Sequence, residues 1–160
     1  MECGDLFHLL DVLCTHDIPF VIIGGHAVTF HGFVRATEDT DVVFRRTPQS
    51  EMSLLAALTE VNARWIGNEI DPETGIERTF PVSLSYIRNA RMMMLITDFG
   101  FLDLFDYIPG WPDEPVEQIF DTAVKQGRYQ YASLRWLRAM KVAANRPKDQ
   151  VDLENLPADS

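Results

Sequence analysis

Cysteines and long apolar runs are both scarce in this sequence. The only cysteines are Cys3 and Cys14, so we expect no disulfide framework, and the reducing cytoplasm is the default compartment. No apolar stretch approaches the ~20 residues that a membrane-spanning helix needs, and the acidic residues 1–5 lack the basic region of a signal peptide. We therefore expect no membrane partner.

Basic residues are also few. The chain has 14 Lys and Arg against 24 Asp and Glu, which gives a net charge of −10. Proteins that hold a nucleic-acid backbone usually carry a basic surface, so we expect no DNA partner, and an RNA substrate is disfavoured. A single nucleotide carried with Mg²⁺ is a smaller electrostatic problem.

The hydrophobic pattern predicts one domain over residues 1–160. About 1–110 should form a mixed α/β core and about 114–156 a helical C-terminal part. In the core we predict helices over 5–16, 25–30 and 48–61, and strands over 20–23, 40–44, 92–96 and 101–108. Residues 68–80 fit an irregular loop or loose hairpin, and 82–86 a short strand or helical turn. The C-terminal helices are predicted over 116–125, 133–144 and 147–156.

Paired glycines and alternate carboxylates stand at the ends of two predicted strands. Strand 20–23 closes with Gly24-Gly25, and Asp39-Thr40-Asp41 opens strand 40–44. Glycines let the backbone approach a phosphate closely, and a helix start behind them favours an anion. Asp39 and Asp41 point to the same face and offer oxygen ligands to Mg²⁺. Like charges this close should raise the pKa of one carboxyl unless a cation is present.

Plainer interpretations of these segments stay open. The glycines could simply end a strand, and residues 37–40 could be a surface turn. His26 could lie near phosphate or be a packed imidazole. Arg35 and Thr37 could contact phosphate or only orient the loop before Asp39.

A third carboxylate, Asp103, lies in an apolar strand between Leu102 and Leu104. A carboxylate there is unfavourable unless it is paired or coordinated, which favours a third metal ligand over a strand-edge residue facing water. Asp98 and Asp106 replace it if the register differs, because a slip of one residue moves every side chain to the other face.

These segments, in this order, resemble the nucleotidyltransferase fold, whose signature is a Gly-Gly or Gly-Ser turn followed by a strand with Asp-x-Asp or Asp-x-Glu. Near the C-terminus, Lys141 followed by Arg146-Pro147-Lys148-Asp149 is similar to the end of the AbiEii-like minimal nucleotidyltransferases. That group includes toxins of toxin–antitoxin pairs. The resemblance spans residues 22–153. It implies an α/β (α+β) fold with a mixed sheet flanked by helices and a helical C-terminal region.

The resemblance also implies an activity. It is the metal-dependent transfer of a nucleoside monophosphate (NMP) from a nucleoside triphosphate (NTP) to a hydroxyl acceptor, which is an RNA end, a protein or a small molecule. Asp39 and Asp41 would hold two Mg²⁺ ions, and Asp103 would share one and help to deprotonate the acceptor.

For the nucleotide, the resemblance implies that Gly24 and Gly25 cradle phosphates, Lys141 neutralises the triphosphate and Asp149 joins the site. Alternatively, Lys141 extends to solvent, and Asp149 and Asp152 pair with Arg146 and Lys148 as ordinary surface charges. The functional alternative is a non-catalytic module that binds a nucleotide or a partner. An antitoxin or another partner chain could complete such a small protein.

The methionine run Met92-Met93-Met94 is predicted to lie in the core, together with Phe99, Phe101 and Phe105. We assign it no role in a site.

Overall fold

Strands from both ends of the chain combine in one sheet. A computed structural model describes residues 7–37 and 39–158, and no helix within them is long and apolar enough to cross a membrane. The described strands are β1 (Phe20–Ile23), β2 (Asp39–Phe44), β3 (Arg64–Ile70), β4 (Glu77–Pro81), β5 (Met92–Thr97), β6 (Gly100–Phe105), β7 (Val124–Gln126) and β8 (Tyr129–Tyr131). The described helices are α1 (His8–Thr15), α2 (Gly24–Phe30), α3 (Pro48–Glu60), α4 (Leu84–Asn89), α5 (Glu117–Asp121), α6 (Leu134–Ala144) and α7 (Pro147–Asn155).

The sheet is mixed, and its strands follow the order β4-β3-β5-β6-β2-β1-β8-β7. β2 runs parallel to β6, and β1 runs parallel to β8. The remaining neighbours are antiparallel. This confirms the predicted fold class, a mixed sheet flanked by helices.

The two faces of the sheet are covered unequally. Val42, Leu104 and Met93 point into the larger core, where residues of α1 to α4 meet them. On the opposite face, a smaller cluster joins Val21 and other residues of β1 and β2 to α5 and α6. On β5, alternate residues are buried and exposed, so that strand packs on one side only.

The predicted helix over 116–125 is wrong in its second half. α5 ends at Asp121, and β7 and β8 follow as a hairpin whose turn contains Gly127 at φ +61°. The hairpin adds two strands beyond β1, so the C-terminal part is not wholly helical. Its sequence signal was the glycine between short polar and tyrosine-rich segments.

Other boundaries changed less. The loose hairpin predicted over 68–80 is the longer β3–β4 hairpin, and the ambiguous segment 82–86 opens α4, where Ser83 accepts a hydrogen bond from the Tyr86 backbone N–H at 3.1 Å. The first part of the predicted helix 5–16, together with Cys3, lies outside the described residues, as does residue 38.

Placing the whole methionine run in the core is wrong. Met93 is fully buried, but Met92 and Met94 are 39% and 52% exposed, and Phe101 is exposed as well. Neighbouring residues of a strand point to opposite faces, so only one face of β5 can be buried against α3 and α4.

Candidate active site

Asp41 and Asp103 lie side by side on neighbouring strands. In the parallel ladder of β2 and β6, Asp41 is paired with Asp103, and Asp39 is paired with Phe101. All three carboxylates therefore belong to the same face of the sheet. This is the face that α5 and α6 cover only in part.

The two substitutes for Asp103 lie elsewhere. Asp98 accepts a hydrogen bond from Asn62 at 3.4 Å in the β5–β6 turn. Asp106 is held by Arg46 at 2.7 Å and by Arg91 at 3.1 Å. Only Asp103 comes next to Asp41.

The crowding of these carboxylates changes their protonation. Burial raises the pKa of Asp41 to about 7, and the charge of Asp103, a hydrogen bond with it and the charge of Asp39 act in the same direction. Burial also raises the pKa of Asp103. The expected rise is confirmed, but the charged neighbour with the larger effect on Asp41 is Asp103 rather than Asp39. Without a cation, Asp41 is therefore partly protonated at neutral pH.

The donor set at these carboxylates fits a hard divalent cation. Within residues 7–37 and 39–158, no three acidic, histidine or cysteine side chains form a ready-made metal cage. Mg²⁺ is usually bound through one or two carboxylates, with water and substrate phosphates filling its other positions. Asp41 and Asp103 supply such a pair, and a bound cation would relieve the repulsion between them.

Gly24 and Gly25 pack directly against this group. Gly24 has φ +67°, and a Cβ added there would collide with the Asp41 carboxylate. A Cβ on Gly25 would collide with the side chain of Thr37. The paired glycines therefore do more than end a strand, because the contact with Asp41 leaves no room for a side chain.

Lys141 is held between two buried carboxylates. Its Nζ lies 3.1 Å from Asp149 Oδ1 and 2.9 Å from Asp152 Oδ2, and the lysine side chain is only 7% exposed. The alternatives that placed Lys141 in solvent and the two aspartates on the surface are therefore wrong. α6 carries the lysine and α7 both aspartates, so the packing of these helices creates the cluster.

Two arginines extend the cluster. Arg35 donates from Nε and from its second terminal nitrogen to the two oxygens of Asp152, at 2.7 and 2.9 Å. Arg146 donates from Nε to Asp149 Oδ2 at 2.7 Å. Burial alone would raise the pKa of Asp149, but the hydrogen bonds from Arg146 and Lys141 overcome it and bring the pKa to about 2. Both aspartates thus remain charged and fix the three cations in place.

The carboxylates, glycines and cations border one open cleft of about 250 Å³. Its lining consists of Ile23, Gly24, Gly25, Arg35, Thr37, Asp39, Asp41, Met92, Met94, Asp103, Phe105, Pro109, Leu137, Met140, Lys141, Ala144, Arg146, Lys148 and Asp149. All seven residues to which the sequence assigned a role are in this set.

In sequence, no protein-family model and no curated protein matches this chain. Solved structures do match. The solution structure of the antibiotic-resistance factor ANT(2'')-Ia is similar at a TM-score of 0.59 and 15% identity, over 94% of this chain and 80% of that one. The lincosamide antibiotic adenylyltransferase LnuA, lincomycin-bound, is similar at 0.59 and 15%, over 97% and 96%. ANT(2")-Ia in complex with adenylyl-2"-tobramycin gives 0.55 and 16%, over 93% and 83%. The chain has the nucleotidyltransferase fold.

Within this nucleotidyltransferase fold, the loop before β2 is a structural support. Thr37 donates a hydrogen bond to the carbonyl of Asp39 at 3.2 Å, and Arg35 ties the loop to α7 through Asp152. His26 does not line the cleft. It is buried beside Phe7, its Nε2 lies 3.5 Å from the Thr40 hydroxyl, and burial lowers its pKa, which supports the packed imidazole.

Sequence analysis missed two features of the cleft. The pairing of Arg35 with Asp152 joins residues 117 positions apart, and no local sequence pattern predicts it. Met92 and Met94 border the cleft, and their spacing of two could have separated them from the buried Met93.

Proposed function

We propose that this protein is a nucleotidyltransferase that moves an NMP from an NTP to the hydroxyl group of an acceptor and releases pyrophosphate. One observation carries the proposal. Asp41 and Asp103 share a register position and have raised pKa values, with a glycine turn on one side and a fixed group of cations on the other. Such a carboxylate pair is unfavourable for the folded protein unless a cation neutralises it.

Asp39, Asp41 and Asp103 would hold the metal, which we propose to be Mg²⁺ as two ions. The bound cation would neutralise charge on the transferred phosphate and on the leaving pyrophosphate. Asp39 is half-buried on the same face and lines the cleft. It is therefore placed to complete the oxygen ligands that Asp41 and Asp103 begin.

The chemistry is a displacement at the α-phosphorus of the NTP. The acceptor oxygen forms a bond to that phosphorus, and the bond from it to the bridging oxygen of pyrophosphate breaks. The electron pair leaves with the pyrophosphate. Asp103 would accept the proton of the hydroxyl in this step.

The triphosphate would lie in the cleft between the Gly24-Gly25 turn and the cations Lys141 and Arg146. Lys141 and Arg146 are held by Asp149 and keep their charge in one place, so little reorganisation is needed when phosphate arrives. Lys148 is exposed at the cleft and can move towards the leaving group.

We extend the proposal to the AbiEii-like group on the basis of the segment Arg146-Pro147-Lys148-Asp149. In that form the protein acts in the cytoplasm, where NTP and Mg²⁺ are abundant, as a toxin restrained by an antitoxin. The gene next to its own is the direct test of this part. The names of LnuA and ANT(2")-Ia instead favour a small-molecule acceptor over an RNA end or a protein.

A non-catalytic nucleotide-binding or partner-binding module is the competing function. One observation favours it, since the ammonium of Lys141 already has two buried carboxylates as partners. An active enzyme must then bind triphosphate without breaking these pairs.

The test is to incubate the purified protein with each α-³²P-labelled NTP and Mg²⁺. Total RNA, protein extract and mixed small-molecule alcohols are supplied in separate reactions. We expect label on one acceptor class with the wild type and none with Asp39→Asn/Asp41→Asn. If NTP binds but no label is transferred in any reaction, the binding module is the better description.

A further inference from the structure

The open half of the carboxylate face is apolar. In the β5–β6 ladder, Met94 is paired with Asp103 and Ile96 with Phe101, so these side chains share the face of the carboxylates. We call Met92, Met94, Ile96 and Phe101 the apolar platform. Its members are between 38% and 52% exposed, whereas the neighbouring half of the same face is buried beneath α5 and α6.

The position of the cations decides what each side of the cleft holds. Lys141 lies on α6 and Lys148 on α7, Arg146 is the N-cap residue of α7, and Arg35 lies in the loop before β2. The cleft residues that the structure describes on β5 and β6 contain no cation. Pyrophosphate therefore belongs on the helical side of the carboxylates.

The acceptor then belongs on the opposite side. In phosphoryl transfer the attacking and leaving oxygens lie roughly in line through the phosphorus. With the leaving group beneath α6 and α7, the attacking oxygen approaches across Asp103 from β5. The first side chain on that route is Met94, which is paired with Asp103 in the ladder.

We propose that the apolar platform binds the acceptor, and that this acceptor is a cationic or neutral small molecule with an apolar face and a hydroxyl group. The inference rests on the proposed function and adds the chemical class of the second substrate. Met94 is the central specificity-determining residue of the apolar platform, because it both lines the cleft and is exposed on the open half of the carboxylate face.

Charge favours a cation over an anion on the apolar platform. Asp39, Asp41 and Asp103 border it and outnumber the cations beside it. Arg64 is paired with Ile96 on the same face and keeps its charge, since it donates to the neutral Thr79 hydroxyl at 2.9 Å, and Lys148 is exposed near Asp103. Arg91 is bound to Asp106 at 3.1 Å. In the absence of a metal ion, an anionic acceptor would therefore meet more negative than positive charge beside Met94.

The size of the apolar platform favours a small molecule over a protein. Four half-exposed side chains offer on the order of a few hundred Å², the size of a functional patch on a monomer. Each partner in a stable protein complex buries ~800 Å². An RNA would bring its phosphates to the carboxylates, which is unfavourable.

The experiment uses the full chain with ¹³C-labelled methionine methyl groups, observed by NMR without divalent ions, so that the charge of the carboxylates is not neutralised by a metal. Tyramine and para-hydroxyphenylacetate are the probes, because they share a phenol ring and differ in the sign of their charge. We expect tyramine at millimolar concentration to shift the signals of Met92 and Met94 and to bind roughly tenfold more tightly than the anion, because the two probes differ by two charge units beside the carboxylates. Met52 on α3 is also 52% exposed and serves as the internal control, which should not shift.

Two variants sharpen the result. Met94→Ala should weaken tyramine binding roughly fivefold, because about half of this side chain is free to be buried by a ligand. Met52→Ala should leave the affinity unchanged. Equal shifts at Met52 and Met94, equal affinity for the two probes, or no shift at Met92 and Met94 would each overturn the inference. Tighter binding of a short RNA, or a dimer that buries the apolar platform, would also overturn it.

A thermal-shift measurement with ATP and Mg²⁺ on the same samples separates this inference from the proposed function. If nucleotide binds but the probes do not, only the acceptor class is wrong. If the probes bind at the apolar platform but neither binding nor turnover of any NTP is found, the proposed transferase function fails instead.

Discussion

Replacing Asp41 by asparagine should stabilise the protein and abolish the proposed nucleotidyl transfer. In the folded state burial and the neighbouring carboxylates raise the pKa of Asp41 from about 3.8 to about 7. Above pH ~7 Asp41 is therefore ionised in both states, and its negative charge is less favourable in the folded chain than in the unfolded chain. Asp41→Asn keeps the shape of the side chain and removes that charge.

The magnitude follows from the two pKa values. Their difference corresponds to roughly 4 kcal/mol, since each tenfold change in an equilibrium constant is about 1.4 kcal/mol. The cleft is open to water, which screens part of this, so we expect a gain of about 2 kcal/mol. For a chain of 160 residues that is a rise in Tm of roughly 4–8 °C.

The sign depends on pH. Between pH ~4 and ~7 the folded state retains the Asp41 proton that the unfolded state has released, so the stability of the wild type falls as pH rises through this window. Asp41→Asn removes this titration. Its advantage should be full above pH ~7 and should vanish as pH falls to ~4.

The assay is urea unfolding of wild type and Asp41→Asn at pH ~8 and ~4 without divalent ions, with the exposed Asp113→Asn as the matched control. Excess Mg²⁺ should stabilise the wild type and have less effect on Asp41→Asn. If Asp41→Asn is no more stable than the wild type at pH ~8, the carboxylates are not in conflict and the metal hypothesis loses its physical basis.

Three further changes test the surroundings of the site. In urea unfolding, Gly24→Ala should destabilise the fold by about 1–3 kcal/mol more than Gly127→Ala. Both glycines have positive φ, but of the two only Gly24 has a neighbour that an added Cβ would strike. Equal losses of stability would contradict this contact. Asp152→Asn should cost about 3 kcal/mol, because Lys141 loses a buried partner, and a loss below about 1 kcal/mol would show the pair to be unimportant. Ser133→Ala should cost about 1 kcal/mol, because α6 loses the cap that bonds its first turn, with NTP affinity unchanged in thermal shift.

Local patterns were sufficient for the strands that carry the carboxylates. Asp39 and Asp41 stand two apart at the start of an apolar strand, and Asp103 stands between two leucines, so alternation alone puts each on the face away from the larger core. The parallel pairing that sets Asp41 beside Asp103 is a long-range contact between two strands, and no local pattern predicts it. Only the resemblance to a known fold suggested it.

The cation cluster was predictable by residue type but not by geometry. Lys141, Asp149 and Asp152 look like ordinary charges on amphipathic helices, because their partners come from a second helix or from a loop far away in the sequence. The apolar platform was missed for the opposite reason. Its residues have the composition of a core, and they are exposed because no helix within residues 7–37 and 39–158 covers this face of β5.

The charge balance of the cleft is the reason that we expect the proposed reaction to require a metal. Arg35, Lys141 and Arg146 are opposed by Asp149 and Asp152, which leaves a surplus of a single positive charge, and Lys148 raises it to two. Asp39, Asp41 and Asp103 more than offset this surplus when all are ionised. With Asp41 partly protonated at neutral pH the cleft has little or no net positive charge, so it offers no net attraction to a free triphosphate. A divalent cation reverses that balance, so nucleotide and metal affinity should rise together, and each should fall when the carboxylates are removed.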